Sequence, residues 1–105
     1  MKEKTVSQLK AMLDGKEDFQ LIDVREPHEY DICNIGATLI PMGDITDHID
    51  DIVRDKPVVV HCRSGKRSAT IIQFLEESQG FSNLYNLNGG ILAWADEIDT
   101  SMTKY

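Results

Sequence analysis

Apolar and polar positions change period along the chain, and the changes divide it into short strands and helices. Phe19-Gln20-Leu21-Ile22-Asp23-Val24 and Pro57-Val58-Val59-Val60-His61-Cys62 are short apolar runs bounded by polar turns, the pattern of strands. Three consecutive valines in the second run predict burial on both faces, as in a parallel sheet. Shorter strand signals lie at Thr5-Val6, at Thr38-Leu39-Ile40 ended by Pro41, and from Asn83 to Leu87. Between them the spacing is helical. Leu9, Met12 and Leu13 follow a cap at Ser7, and Gly15 closes that helix. Pro27 suits the first turn of a short helix reaching Ile32. Ile45, Ile49, Ile52 and Val53 share one face over Gly43 to Arg54, with Asp44 and Asp47 at the positive end of the dipole. Ile71, Ile72, Phe74 and Leu75 point inward from a helix that reaches Gln79 and stops at Gly80, with Phe81 packing back. After the Asn88-Gly89-Gly90 turn, Ile91 to Glu97 forms a last helix, and its Trp94 belongs to the core. Five strands alternating with helices predict an α/β domain: a mainly parallel five-stranded sheet flanked by helices on both faces, joined by right-handed crossovers.

Composition narrows the function classes. The 105 residues suffice for one domain, taken as 1–105, and 41% of them are hydrophobic. Eleven basic against 18 acidic residues leave a formal charge of −7, which disfavours nucleic acid and anionic membranes as partners. No apolar run approaches the ~20 residues that span a bilayer. Met1-Lys2-Glu3-Lys4 leads into no hydrophobic stretch, so a reducing cytoplasm is the expected location. Cys33 and Cys62 are too few for a disulfide framework, and with three histidines they show no zinc spacing. Cys33 lies in a connecting segment without basic neighbours and reads as structural. His61 reads as packing at the end of its strand, and His28 and His48 as solvated.

The chemistry concentrates in His61-Cys62-Arg63-Ser64-Gly65-Lys66-Arg67-Ser68, where a buried strand gives way to a helix. Ligands of open α/β sheets bind outside the carboxyl ends of the strands. The first N–H groups of a helix are unpaired and attract anions. A thiolate placed there is stabilised, and its pKa falls below the free value of ~8.5. Arg63, Lys66 and Arg67 add positive charge to an acidic protein, and Gly65 lets the backbone curl. Ser64 and Ser68 complete a cradle for an anion touching the Cys62 sulfur. Asp23 and Arg25 end a strand on the same sheet edge and are expected to support the loop. Two anions suit the cradle, a sulfur species or a phosphate. Cysteine phosphatases show a similar pattern in which five residues separate cysteine from arginine. Here four residues separate Cys62 from Arg67. The tighter ring of N–H groups favours a single terminal sulfur.

Taken together, the motifs resemble a rhodanese domain over almost the whole chain. Leu21 to Glu26, with Asp23-Val24-Arg25, is similar to the family's second-strand motif. Glu29-Tyr30, Ile35-Gly36-Ala37 and Ile40-Pro41 resemble its middle segment, Cys62 to Arg67 its six-residue active loop, and Leu87, Gly89-Gly90 and Trp94 its closing motif. One departure is Asn34 where the family often has His, with one residue fewer before Gly36. Glu29 to Gly36, Leu39 to Met42 and the ending through Tyr105 resemble, more narrowly, the rhodanese domains fused behind E1-like adenylyltransferases of molybdopterin and thiamine synthesis.

The resemblance implies a sulfurtransferase. Cys62 would take sulfane sulfur from a donor such as thiosulfate and pass it to a thiophilic acceptor through a persulfide. Arg63 and Arg67 would bind the donor anion, with Lys66 a weaker contributor, and no metal or organic cofactor is called for. Partners implied are small sulfur donors and acceptors, a ubiquitin-like sulfur-carrier protein, a cysteine desulfurase, or a fused adenylyltransferase domain. Two other functions compete: a cysteine phosphatase of related fold, and a non-catalytic interaction module. Such modules generally lack the cysteine.

Overall fold

The computed structural model describes residues 1–105. Its strands are β1 (Glu3–Lys4), β2 (Gln20–Asp23), β3 (Thr38–Leu39), β4 (Val58–His61) and β5 (Leu84–Leu87). Its helices are α1 (Val6–Asp14), α2 (Pro27–Ile32), α3 (Lys66–Gln79) and α4 (Gly90–Glu97), with a 3-10 helix over Met42–Asp51 between β3 and β4. The strands form one sheet in the order β1-β5-β4-β2-β3, and every neighbouring pair is parallel. β4 takes the centre, with all four residues buried. Val58 and Val60 pack on one face with Ile45 of the 3-10 helix, Ile52 just after it, and Ile71, Ile72 and Leu75 of α3. Val59 packs on the other with Val6, Leu9 and Met12 of α1 and Trp94 of α4. A helix layer on each side is why the central strand is apolar without alternation. Each buried valine contributes roughly 1.5–3 kcal/mol.

Local chemistry moves some boundaries. The first strand is Glu3–Lys4, not Thr5-Val6, and Ser7 does not cap α1. Thr5 does: its hydroxyl accepts the Gln8 N–H (3.1 Å) and its N–H donates to Gln8 Oε1 (2.8 Å). This capping box stabilises the helix by about 1 kcal/mol and draws Val6 into it. The helix expected over Gly43 to Arg54 is instead a 3-10 helix, interrupted at His48 (φ −123°, ψ 18°). Gly43, four aspartates and the β-branched Ile45, Thr46 and Ile49 are poor α-formers. Packing of Ile45 against the sheet holds the segment down without requiring α geometry.

The topology places the site. β2 and β4 are neighbours, and the chain leaves them in opposite directions, to β3 at one edge and to β5 on the other side. Their carboxyl ends therefore flank a reversal of strand order, where α/β sheets bind ligands. Asp23 stands in register with His61, so Asp23-Val24-Arg25 and the Cys62 loop emerge side by side.

Candidate active site

Cys62 follows the last residue of β4 and is only 1% exposed. The chain then turns through Arg63 and Ser64 to Gly65, whose φ of +102° only glycine adopts without strain. Gly65 caps α3, so the unpaired N–H groups of that helix face back toward the sulfur. The Gly65 N–H donates to Cys62 Sγ (3.1 Å), as does the Ser68 N–H (3.4 Å), and the Ser68 hydroxyl lies 3.4 Å from the sulfur. Burial pushes the Cys62 thiol up. Contact with the Ser68 hydroxyl dipole and hydrogen bonds from the N–H groups of Ser68, Gly65 and Ser64 outweigh it and leave the pKa below its ordinary value. The arrangement stabilises a thiolate, or a negative charge one atom further out.

Asn86 and Gly90 hold the loop in place, and sequence reasoning assigned neither to the site. Asn86 lies in β5 between Tyr85 and Leu87. Its amide nitrogen donates to Gly65 O (3.0 Å), and its Oδ1 accepts the Ser68 hydroxyl (2.6 Å). Gly90 opens α4, and the next two N–H groups, of Ile91 and Leu92, donate to the carbonyls of Cys62 (3.0 Å) and Arg63 (3.1 Å). A Cβ on Gly90 would fall 2.4 Å from Arg63 O and 2.6 Å from Cys62 O. Gly90 is thus a requirement of the close approach of α4 to the loop, whereas a Cβ on Gly89 would instead meet Ala93 of α4. The available signal for Asn86 was a buried amide in an otherwise apolar strand.

The basic residues divide by how their charge is used. Arg67 forms a two-pronged ion pair with Glu29 of α2 (2.7 and 2.8 Å), a residue the sequence reading left outside the site. Arg67 holds the Glu29 carboxyl well below the usual carboxylate range. Tyr105 Oη also donates to Glu29 (2.7 Å). Arg63 and Lys66 are exposed on the rim, and the Arg63 guanidinium lies over the Tyr105 ring at 4.9 Å from its centroid.

Asp23 and Arg25 are both fully buried. Arg25 grips the Asp23 carboxylate through Nε (3.0 Å) and Nη2 (2.7 Å), then reaches the carbonyls of Glu29 (3.3 Å) and Cys33 (2.8 Å) and Tyr105 Oη (2.9 Å). The pair therefore ties α2 and Tyr105 to the end of β2. Cys33 has no basic neighbour in sequence but has one in space, since Arg25 Nη1 comes within 4.0 Å of its sulfur. His61 is fully buried 3.7 Å from Asp23, and burial depresses its pKa. Asn34, the departure in the middle motif, closes a local turn by accepting the Gly36 N–H (3.0 Å). No three His, Cys, Asp or Glu side chains gather to hold a metal ion, and no helix is long and apolar enough to cross a membrane.

Comparison with known proteins adds an independent line. A family model described as "Rhodanese-like domain" matches residues 5–97. A putative sulfurtransferase of Bacillus subtilis, YtwF, is 40% identical over 92% of this chain and 93% of its own. The probable adenylyltransferase/sulfurtransferase MoeZ of Mycobacterium tuberculosis is 38% identical over 96% of this chain, which spans only 26% of MoeZ. Among solved structures, a rhodanese-like domain protein from Staphylococcus aureus superposes with a TM-score of 0.83 at 34% identity, covering 93% of this chain and 95% of that one.

Proposed function

This chain belongs to the family of rhodanese-like domains, and on that premise we propose that it is a sulfurtransferase carrying sulfur as a persulfide on Cys62. The observation that carries the reading is the Cys62 sulfur itself, at the end of β4 and facing the N–H groups of Gly65 (3.1 Å) and Ser68 (3.4 Å) at the start of α3. In the first step the Cys62 thiolate attacks the outer sulfur of thiosulfate. An S–S bond forms to Cys62, the S–S bond of the donor breaks, and sulfite leaves with the electron pair. In the second, a thiolate or cyanide takes the terminal sulfur, and the Cys62 thiolate is regenerated. The ring of N–H groups supports charge on the sulfur in both states. Arg63 and Lys66 attract the anionic donor, while Arg67, paired with Glu29, shapes the loop. Ser64, Gly65 and Ser68 contribute backbone donors.

Shortness of the turn separates this reading from phosphate chemistry. Four residues between Cys62 and Arg67, one fewer than in the cysteine-phosphatase pattern, favour a tighter ring that suits one sulfur atom better than a tetrahedral ester. Relatives named as adenylyltransferase/sulfurtransferases favour a protein acceptor, a sulfur carrier with an activated C-terminus, with thiosulfate or a desulfurase-borne persulfide as source. Thiocyanate formation from thiosulfate and cyanide tests the proposal. Turnover is expected from the native chain and absent in Cys62→Ser. Cys62-dependent hydrolysis of an aryl phosphate without thiocyanate formation would replace it with the phosphatase.

A further inference from the structure

Tyr105 reaches the rim of the Cys62 loop from the far end of the sequence. Past α4 the chain turns back on itself. Met102 packs against the α1–α4 side of the core, Ser101 bonds to Asp99 (3.1 Å from its N–H), and Lys104 pairs with Asp96. The segment is thereby tethered at several points before it delivers Tyr105. The phenol oxygen accepts from Arg25 Nη1 (2.9 Å) and donates to Glu29 Oε2 (2.7 Å). Both partners are themselves fixed, Arg25 by Asp23 and Glu29 by Arg67. The ring orientation is therefore set at one end, and its face carries the Arg63 guanidinium at 4.9 Å, within stacking range. Arg63 is exposed and its side chain forms no hydrogen bond or ion pair. Its charge is uncompensated, unlike that of Arg67, and it stands next to Cys62 in the chain. An arginine free in solvent spreads over many rotamers, and stacking on the ring biases Arg63 toward one of them.

We propose that Tyr105 is a positioning residue: it holds the Arg63 guanidinium at the mouth of the Cys62 loop, so that the site selects anionic sulfur donors. The donor class rests on the sulfurtransferase reading; the positioning of Arg63 does not. The two are separated by alkylating Cys62 with iodoacetate and with iodoacetamide, which differ in charge and little in shape. The ratio of the two rates cancels the thiolate fraction and reads the local positive field. Tyr105→Ala and Arg63→Ala should each lower the ratio about fivefold, and the double variant no further than either alone. Tyr105→Phe keeps the ring face but loses the two bonds that orient it, so its ratio should fall between the native and the alanine values. The KM for thiosulfate should rise in the same order while kcat moves less.

An unchanged ratio in either alanine variant overturns the proposal. So does a phenylalanine variant as impaired as the alanine one, since a general loosening of the fold would not distinguish the two. Unfolding midpoints measured in parallel identify a folding defect. If the native chain takes no sulfur from thiosulfate, the sulfurtransferase reading fails and the alkylation ratio still decides the role of Tyr105.

Discussion

Replacing Gly90 by alanine puts one methyl group where the structure has no room. The new Cβ would lie 2.4 Å from Arg63 O, 2.6 Å from Arg63 C and 2.6 Å from Cys62 O. All three are backbone atoms, so no side chain can swing aside. The start of α4 and the Cys62 loop must separate by more than half an ångström to reach the 3.0 Å that real Cβ contacts respect. That separation stretches the bonds from Ile91 N–H (3.0 Å) and Leu92 N–H (3.1 Å) to the loop carbonyls. Two weakened bonds at about 1 kcal/mol each, with about 1 kcal/mol for a side chain at φ +59°, give a loss of roughly 2–4 kcal/mol. A domain of ordinary stability, about 5–15 kcal/mol, stays folded. Reactivity suffers more, because a displacement of about 1 Å in reacting groups costs on the order of a hundredfold. The assay is urea unfolding alongside the rate of persulfide formation from thiosulfate, with Gly36→Ala as control. Gly36 also has a positive φ (+77°), but nothing lies within 4 Å of its would-be Cβ. Gly36→Ala should cost about 1 kcal/mol and leave sulfur loading intact, while Gly90→Ala slows loading at least tenfold. Equal loading by the two variants would refute the claim that α4 braces the loop.

Three other expectations follow from the same contacts. Glu29→Gln should destabilise the fold by about 1–2 kcal/mol near neutral pH, between the values for exposed and buried ion pairs. Because the Glu29 carboxyl is held below its ordinary 4.5, that contribution is complete above pH 4.5 and lost as pH falls toward the folded-state value. Stability curves of native and Glu29→Gln protein, measured by chemical unfolding, should therefore converge in acid; a gap that stays constant would contradict the ion-pair account. Asn86→Asp places a carboxylate against Gly65 O and beside the Ser68 hydroxyl, so it should raise the Cys62 pKa and slow loading about tenfold, read from the pH dependence of thiol alkylation. In the native chain that alkylation profile should inflect below the range of a free thiol, and Ser68→Ala should move it upward.

The strand pattern carried the fold because the apolar run Val58-Val59-Val60 has few other uses in a chain this short. The loop was equally legible, since Cys62 to Ser68 are contiguous and their roles follow from a strand running into a helix. What sequence could not display was the second layer. Glu29, Asn86, Gly90 and Tyr105 meet the loop from α2, β5, α4 and the end of the chain, and their partners are 18 to 80 residues away. Nothing in local periodicity marks such meetings. The error at Thr5 has another origin, because a β-branched residue reads as strand while its hydroxyl, paired with Gln8, does better as a helix cap. The 3-10 geometry of Met42–Asp51 was missed because isoleucines spaced for one helix face say nothing of how tightly the backbone is wound.

Sulfur on Cys62 is the central claim, and the mass of the intact chain tests it most directly. The reduced protein is incubated with thiosulfate, desalted and weighed, then treated with cyanide and weighed again. The account predicts a gain of one sulfur atom, located on the Cys62 peptide, removed by cyanide and absent in Cys62→Ser. A native chain that gains no sulfur while Cys62 remains reduced and open to alkylation would contradict it.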